Sequence, residues 1–185
     1  MSDNTTILTT SLDGLFIIKR PTIGDERGFF REPVRIKELE AAMGTSFQVV
    51  QMNHARSKKN ILRGIHIAPW NKLIYVTRGK VQAVMVDLRE DSLTFGKHES
   101  FIIGDDNRSA IFIPKGFGNA YLVLSDETDY TYLTDEEWTP NKEYGVLWND
   151  PDIAVKWEVS DNLITSERDN QAPSLKSLFP HKFQS

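Results

Sequence analysis

Short stretches rich in the hydrophobic residues Val, Ile, Phe and Tyr recur along most of the chain. Such stretches are typical of β-strands, because β-branched and aromatic side chains pack well on a pleated sheet. Turn residues, mainly Gly and Asp, separate the stretches. The pattern predicts strands at residues 47–52, 73–77, 81–88, 100–103, 110–114, 121–124 and 130–133.

One segment has helical spacing instead, at residues 34–43, and Gly44 follows as its stop signal. Many short strands without alternating helices favour an antiparallel sandwich or barrel over a parallel α/β sheet. We therefore predict an all-β jelly roll formed by residues 1–185 as a single domain, with a short helix near the N-terminus. The segment from Pro140 onward is predicted to be a C-terminal extension that returns across the sheet.

Composition narrows the classes of partner. The chain has 185 residues, a formal net charge of -4 and no long basic run, which argues against nucleic-acid binding through a broad cationic face. It has no Cys, which excludes disulfides and thiolate metal ligands and fits a reducing cytoplasm. No signal peptide and no apolar run of membrane-spanning length is visible. We expect a cytoplasmic protein without membrane or nucleic-acid partners, for which a small anionic ligand remains possible.

The run Arg63-Gly64-Ile65-His66 is the first candidate for chemistry. His66 is either a core histidine or a general base, since imidazole titrates near neutrality. The nearby cations Arg63 and Lys72 favour a base that acts on an anionic substrate or an enolate. Strict alternation puts Arg63 and His66 on opposite faces, whereas a bulge at Gly64 brings both to one face.

A metal centre is the main rival for His66. Many jelly-roll proteins of the cupin class bind a metal through a His-x-His pair, a following Glu and a later His. Here Ile67 and Ala68 follow His66, and Asn119 takes the place of the later His. A neutral amide is a poor partner for one imidazole in a zinc or iron site, so we predict no metal.

Aromatic residues and one arginine give weaker signals. Tyr130 and Tyr132 share one face of their strand, where Tyr130 suits core packing and Tyr132 either packs or donates a proton. Trp138 suits a rim position that stacks on a base or ring. Arg27 lies either in a solvated loop or in a structured corner that grips a phosphate.

Taken together, six segments in fixed order carry a resemblance to a known family. They are Asp25-Glu26-Arg27-Gly28-Phe29, Arg63-Gly64-Ile65-His66, Val86-Asp87-Leu88-Arg89 with Ser92, Thr94-Phe95-Gly96, Ile113-Pro114-Lys115-Gly116-Phe117, and Trp148-Asn149-Asp150-Pro151. Over about residues 12–175 the set resembles the dTDP-4-dehydrorhamnose 3,5-epimerase family. The resemblance implies a cupin jelly roll, a homodimer, no cofactor, and inversion of carbon 3, carbon 5 or both in a nucleotide-linked 4-keto-6-deoxy sugar.

The resemblance also implies roles for matching residues. His66 matches the family's base, Asp169 its carboxylate partner, Tyr132 the proton donor, and Lys72 the cation near the keto oxygen. The positions that match substrate contacts are Arg27, Glu32, Gln51, Asn53, Arg63, Glu143 and Arg168.

Three positions depart from the typical pattern. Trp138 stands where the family has a Tyr that stacks on thymine, so stacking is preserved. Asn119 replaces a substrate-contacting His, and we expect it to orient a sugar hydroxyl. The segment 67–71 replaces a longer loop ahead of Lys72. The last two changes leave open which sugar is used and which carbons are inverted.

Two other functions stay open at the level of sequence. A 3,4-ketoisomerase also uses a cupin and a 4-keto sugar nucleotide, but it moves protons on one face of the sugar and needs no acid at Tyr132. A non-catalytic sugar-nucleotide-binding cupin leaves the combination of His66, Asp169, Lys72 and Tyr132 without a purpose. The combination therefore favours an epimerase.

Overall fold

The computed structural model describes residues 4–183. Two antiparallel sheets face each other within this part of the chain, and a small hairpin lies beside them. The strands are β1 (Thr6–Thr9), β2 (Phe16–Lys19), β3 (Ile23–Asp25), β4 (Gly28–Phe30), β5 (Gln51–Lys58), β6 (Leu62–Ile67), β7 (Lys72–Arg78), β8 (Lys80–Asp87), β9 (His98–Gly104), β10 (Ala110–Ile113), β11 (Phe117–Val123), β12 (Glu127–Thr134) and β13 (Tyr144–Gly145). The helices are α1 (Ile36–Met43), α2 (Glu167–Asn170) and α3 (Leu175–Leu178), and a 3₁₀ turn spans Pro180–Phe183.

The first sheet has the strand order β1-β2-β10-β7-β12-β5, and the second has the order β13-β6-β11-β8-β9. The hairpin consists of β3 and β4. This arrangement is the all-β jelly roll that the sequence predicts, with the single N-terminal helix and the C-terminal extension.

Apolar side chains fill the space between the two sheets, and they come from strands of both: Ile74, Val76, Val81, Ala83, Met85, Ile111 and Val123. Helix α1 and the segment after it cover the outer face of the first sheet, where Leu39 and Phe47 pack against Leu73 and Phe112. The C-terminal extension covers the outer face of the second sheet, where Leu175 contributes to the same cluster as Val84 and Val86. Burial on both faces explains why residues 81–87 of β8 are all buried, instead of alternating between buried and exposed.

Helix α1 ends as its sequence predicts. Gly44 has a φ of 71°, and its N–H donates to the carbonyl of Glu40. The expected strand at 47–52 is wrong over residues 47–50, because β5 begins only at Gln51. Phe47 instead meets Phe112 edge to face, with ring centroids 5.3 Å apart. Phe47 is buried in the layer beneath α1, in the same cluster as Leu39.

The pairing of β6 with β11 is irregular between Arg63 and His66. Arg63 pairs with Tyr121 and His66 with Asn119, so two residues of β6 lie opposite the single residue Ala120. This is the bulge that the sequence allowed, and Gly64 lies within it with a φ of 122°. The extra residue shifts the alternation, and both Arg63 and His66 reach the same cavity.

We predict that Gly64→Ala destabilises the protein by about 1–3 kcal/mol, the usual range for overpacking. A Cβ at Gly64 would lie 2.5 Å from the Cβ of Ala120, and the positive φ is strained for any other residue. Chemical denaturation measures the effect. Gly24→Ala is the matched control, since its Cβ would meet only a carbonyl oxygen at 3.5 Å. Equal denaturation midpoints for the two variants would contradict the role given to Gly64.

Candidate active site

A cavity of about 180 Å³ opens between the two sheets. Its wall combines titratable and aromatic side chains from strands of both sheets, and they converge on one space. The lining residues are Ala55, Arg63, His66, Lys72, Asn119, Tyr121, Tyr130, Tyr132 and Glu143.

His66 reaches the cavity from β6 and is hydrogen-bonded to a buried carboxylate. Its Nε2 lies 2.7 Å from Oδ1 of Asp169, and Asp169 is only 4% exposed. The bond occupies Nε2, which leaves Nδ1 as the nitrogen that can accept a proton. A carboxylate in this position also favours the imidazolium that forms when His66 takes up a proton.

Asp169 is held by its own surroundings. Ser166 caps α2 by accepting a hydrogen bond from the N–H of Asp169, at 3.1 Å, and the N–H of Gly64 donates to Oδ2 of Asp169 at 3.3 Å. Burial by itself raises the pKa of Asp169, but the hydrogen bond from His66 and the backbone and Ser166 interactions outweigh it, so the pKa is lowered. Asp169 therefore stays ionised beside His66.

Lys72 and Tyr132 belong to the opposite sheet, on β7 and β12. The Nζ of Lys72 lies 6.0 Å from the centre of the Tyr132 ring. Burial, reinforced by the negative charge of Glu143, raises the pKa of Tyr132. Because its pKa is raised, the phenol keeps its proton. Its hydroxyl makes no hydrogen bond to any residue in the described range 4–183, so the O–H group is free to donate.

Within residues 4–183, the side chain of Arg63 makes a hydrogen bond through one nitrogen, Nε. Its Nε donates to Oγ of the buried Ser57, at 3.1 Å. The two terminal nitrogens remain available for an anion, because a guanidinium has five donors. Arg63 also lines a neighbouring groove of about 360 Å³, together with His66, Arg168 and Asp169.

Asn119 lies directly across the β6–β11 ladder from His66. The hydroxyl of Tyr130 donates to its Oδ1 at 3.4 Å, and the Tyr130 ring stacks on Tyr121 with centroids 4.0 Å apart. The sequence assigned Tyr130 to the core and gave Tyr121 no role. Both line the cavity, and for Tyr130 the signal was available, because it shares a strand face with Tyr132.

A smaller cavity of about 30 Å³ adjoins the first and shares Tyr132 and Glu143 with it. Oε1 of Gln51 accepts a hydrogen bond from the backbone N–H of Trp138 at 2.8 Å, and Nε2 of Gln51 donates to Oδ1 of Asn53 at 2.8 Å. Nδ2 of Asn53 is buried and has no acceptor among the described residues. Trp138 is 54% exposed, which leaves part of its ring available for stacking. The wall also contains Trp70, from the short 67–71 segment, which the sequence did not single out.

Two predicted substrate contacts lie away from these cavities. Arg27 is in the exposed β3–β4 hairpin, where it pairs with Asp25 and its side chain is 85% exposed. Glu32 pairs with Arg20 and Arg35. Neither residue lines the cavity that contains His66. The other eleven predicted site residues line that cavity, the smaller one or the neighbouring groove.

Residues 4–183 contain no group of three or more His, Cys, Asp or Glu side chains placed to hold a metal ion. The same range contains no helix that is both long and apolar enough to span a membrane. What the cavity does offer is a base, a neutral phenol and a buried ammonium around one small space.

Comparisons with known proteins agree with this chemistry. The sequence profile described as dTDP-4-dehydrorhamnose 3,5-epimerase matches residues 9–177. The enzyme of that name from Escherichia coli K12 is 36% identical over 176 residues, which are 93% of this chain and 95% of that protein.

Solved structures are similar over nearly the whole length. An epimerase from Legionella pneumophila in complex with dTDP-4-keto-L-rhamnose has a TM-score of 0.89 and 35% identity, and the match covers 94% of each chain. NovW, a 4-keto-6-deoxy sugar epimerase from Streptomyces spheroides, has a TM-score of 0.93 and 27% identity, covering 98% of this chain and 93% of the other.

Proposed function

The chain belongs to the dTDP-4-dehydrorhamnose 3,5-epimerase family. We propose that it inverts the configuration at carbon 3, carbon 5 or both of its sugar, with His66 as the base and Tyr132 as the acid. It is an isomerase, an epimerase of nucleotide-linked 4-keto-6-deoxy sugars in deoxysugar biosynthesis. The observation that carries the assignment of roles is that His66 and Tyr132 approach one cavity from opposite sheets.

The base step begins at a carbon next to the keto group. The 4-keto group acidifies the hydrogens at carbons 3 and 5, because the resulting carbanion is delocalised as an enolate. Nδ1 of His66 removes one of these protons, and Asp169 stabilises the imidazolium across the 2.7 Å hydrogen bond. The electron pair of the broken C–H bond moves onto the keto oxygen.

The enolate oxygen needs a positive charge near it. Lys72 supplies this charge from a site where its side chain is 9% exposed, and an ammonium acts most strongly where water is excluded. Fixed electrostatic stabilisation of this kind is usually the largest contribution to lowering such a barrier.

The acid step inverts the centre. The Tyr132 hydroxyl delivers its proton to the face opposite His66, a new C–H bond forms there, and the keto group is restored. Solvent then reprotonates the phenolate and takes the proton from the imidazolium. A 3,4-ketoisomerase would not require a free phenol across the cavity from its base, which is why we favour epimerisation.

The nucleotide base lies, on this proposal, over Trp138 at the mouth of the smaller cavity. Stacking of a base on an aromatic ring stabilises binding by about 1–3 kcal/mol. The exposed part of the Trp138 ring and the buried donor of Asn53 suit a planar base with carbonyl acceptors. The dTDP-sugar named for the Legionella relative supports thymidine diphosphate as the nucleotide. Arg63 and Arg168 are the cations available for the diphosphate.

Other roles rest on fewer observations. Asn119 has its Oδ1 engaged by Tyr130, and we propose that it orients a sugar hydroxyl rather than transferring a proton. No cofactor takes part in the proposed steps. Cytoplasmic location remains a proposal, supported by the absence of Cys in the sequence.

We predict that two variants separate the proton-transfer roles. His66→Ala loses turnover by about 10²–10⁴-fold and no longer exchanges the sugar's hydrogens with deuterated water, because the base is gone. Tyr132→Phe keeps the ring but lacks the donor, so His66 still removes a proton and returns deuterium to the same face. This variant exchanges label into recovered substrate while making little inverted product, as NMR of the sugar would measure.

Ser100→Ala, at an exposed position of β9 away from the cavity, is the control and keeps both activities. Wild-type epimerisation by Tyr132→Phe, or label exchange by His66→Ala, would contradict the assigned roles.

We also propose a homodimer, which accounts for the exposed hairpin. Ile23, Phe29 and Phe30 are 52%, 52% and 68% exposed there, a concentration of apolar surface that favours association. Arg27, and Glu32 just after the hairpin, would then face the partner subunit, where they are available to contact substrate. Light scattering at micromolar concentration should give twice the mass of the chain, and Phe30→Asp should lower it. A monomeric wild-type protein would contradict the proposal.

A further inference from the structure

Lys72 is a buried ammonium whose charge needs support. Its side chain is 9% exposed, and it begins β7 at the wall of the larger cavity. Burial lowers the pKa of Lys72, because a charged amine is less stable away from water. If Lys72 lost its proton, the proposed enolate would lose the ammonium that is assigned to stabilise it.

Glu143 provides the only carboxylate within ion-pairing distance of Lys72 in the part of the chain from residue 4 to residue 183. Its Oε2 lies 3.8 Å from Nζ, and its own side chain is only 15% exposed. The other titratable or charged side chains that line this cavity are a guanidinium, an imidazole and three phenols: Arg63, His66, Tyr121, Tyr130 and Tyr132. Within the cavity, Glu143 alone can offset the positive charge.

From this geometry we infer that Glu143 is a positioning residue that acts through Lys72, as the counter-ion that keeps Lys72 cationic for the enolate step. This role goes beyond a contact with substrate, because it exists in the free enzyme. It rests on the proposed function only in what the charge of Lys72 is used for.

Arg168, on α2, also forms an ion pair with Glu143. Its Nη2 lies 3.2 Å from Oε1 of Glu143, so one carboxylate serves two cations. The negative charge of Glu143 raises the pKa of Lys72, and the positive charge of Arg168 lowers it. The two residues therefore have opposite effects on Lys72, which a purely structural role for either would not produce.

The pH dependence follows with a definite sign. Catalysis needs the protonated form of Lys72, so the rate falls as pH rises through the pKa of Lys72. Glu143→Gln moves this alkaline limb to lower pH, by about 1–2 pH units for a charge some 4 Å away in a partly shielded site. Arg168→Gln moves it to higher pH. Glu143→Asp keeps the negative charge, so its alkaline limb lies at a pH between those of Glu143→Gln and the wild type.

The test has two readouts. NMR of the free enzyme labelled at lysine follows the titration of Lys72, with its signal assigned by its loss in Lys72→Met. The pH profile of kcat on dTDP-4-keto-6-deoxyglucose follows the same group during turnover. Glu136→Gln is the matched control, because it removes an exposed carboxylate that lies 3.9 Å from Lys142, and it should leave both readouts unchanged.

The outcomes separate the two proposals. Lys72 titrating at lower pH in Glu143→Gln and at higher pH in Arg168→Gln supports the inference, and Arg168→Gln alone tests it should Glu143→Gln fail to fold. An unmoved Lys72 titration in the folded variants overturns it. Absence of wild-type turnover overturns the proposed function instead, while the titration of the free enzyme still judges the counter-ion.

Discussion

The hydrogen bond between His66 on β6 and Asp169 on α2 joins the second sheet to the last part of the chain, and several contacts hold it in place. Asp169 lies more than a hundred residues beyond His66, on a four-residue helix that has little stability of its own. That helix is held by the Ser166 cap and by the side chain of Asn170, which accepts from the indole N–H of Trp148 at 3.1 Å. The extension is anchored in turn by apolar packing on the outer face of the second sheet. The position of Asp169 beside His66 therefore depends on that packing.

The two-sheet architecture gives the site its second property, which is that the imidazole and the phenol lie on opposite sides of a small cavity. One sheet supplies the imidazole and Arg63, and the other supplies the phenol and the ammonium. Because each group is fixed on a paired strand, little reorganisation is needed when the enolate forms. Burial also holds the proton on Tyr132 and makes the charge of Lys72 depend on Glu143, so the same desolvation acts on both halves of the chemistry.

Sequence alone predicted the jelly roll, helix α1 and its Gly44 end, because β-branched and aromatic composition, helical spacing and turn residues are local signals. It also placed His66, Lys72 and Tyr132 in one site, through resemblance to a family rather than through spacing. The bulge at Gly64 could be named as a possibility but not decided, since it depends on what Ala120 offers across the ladder. The contact of Glu143 with Lys72 joins segments far apart in the chain, and no local pattern reports such a pair. Phe47 was misassigned because an apolar residue beneath a helix and one in a strand look alike in sequence.

Central to this account is inversion by two different groups on opposite faces of the sugar, and the origin of the new hydrogen tests it most directly. Wild-type enzyme is incubated with dTDP-4-keto-6-deoxyglucose in deuterated water, and the first product formed is examined by NMR at carbons 3 and 5. If Tyr132 donates and His66 accepts, every inverted carbon carries deuterium from the first turnover. Inverted product that retains the substrate's own hydrogen would show that a single group removes and returns the proton, which contradicts the account.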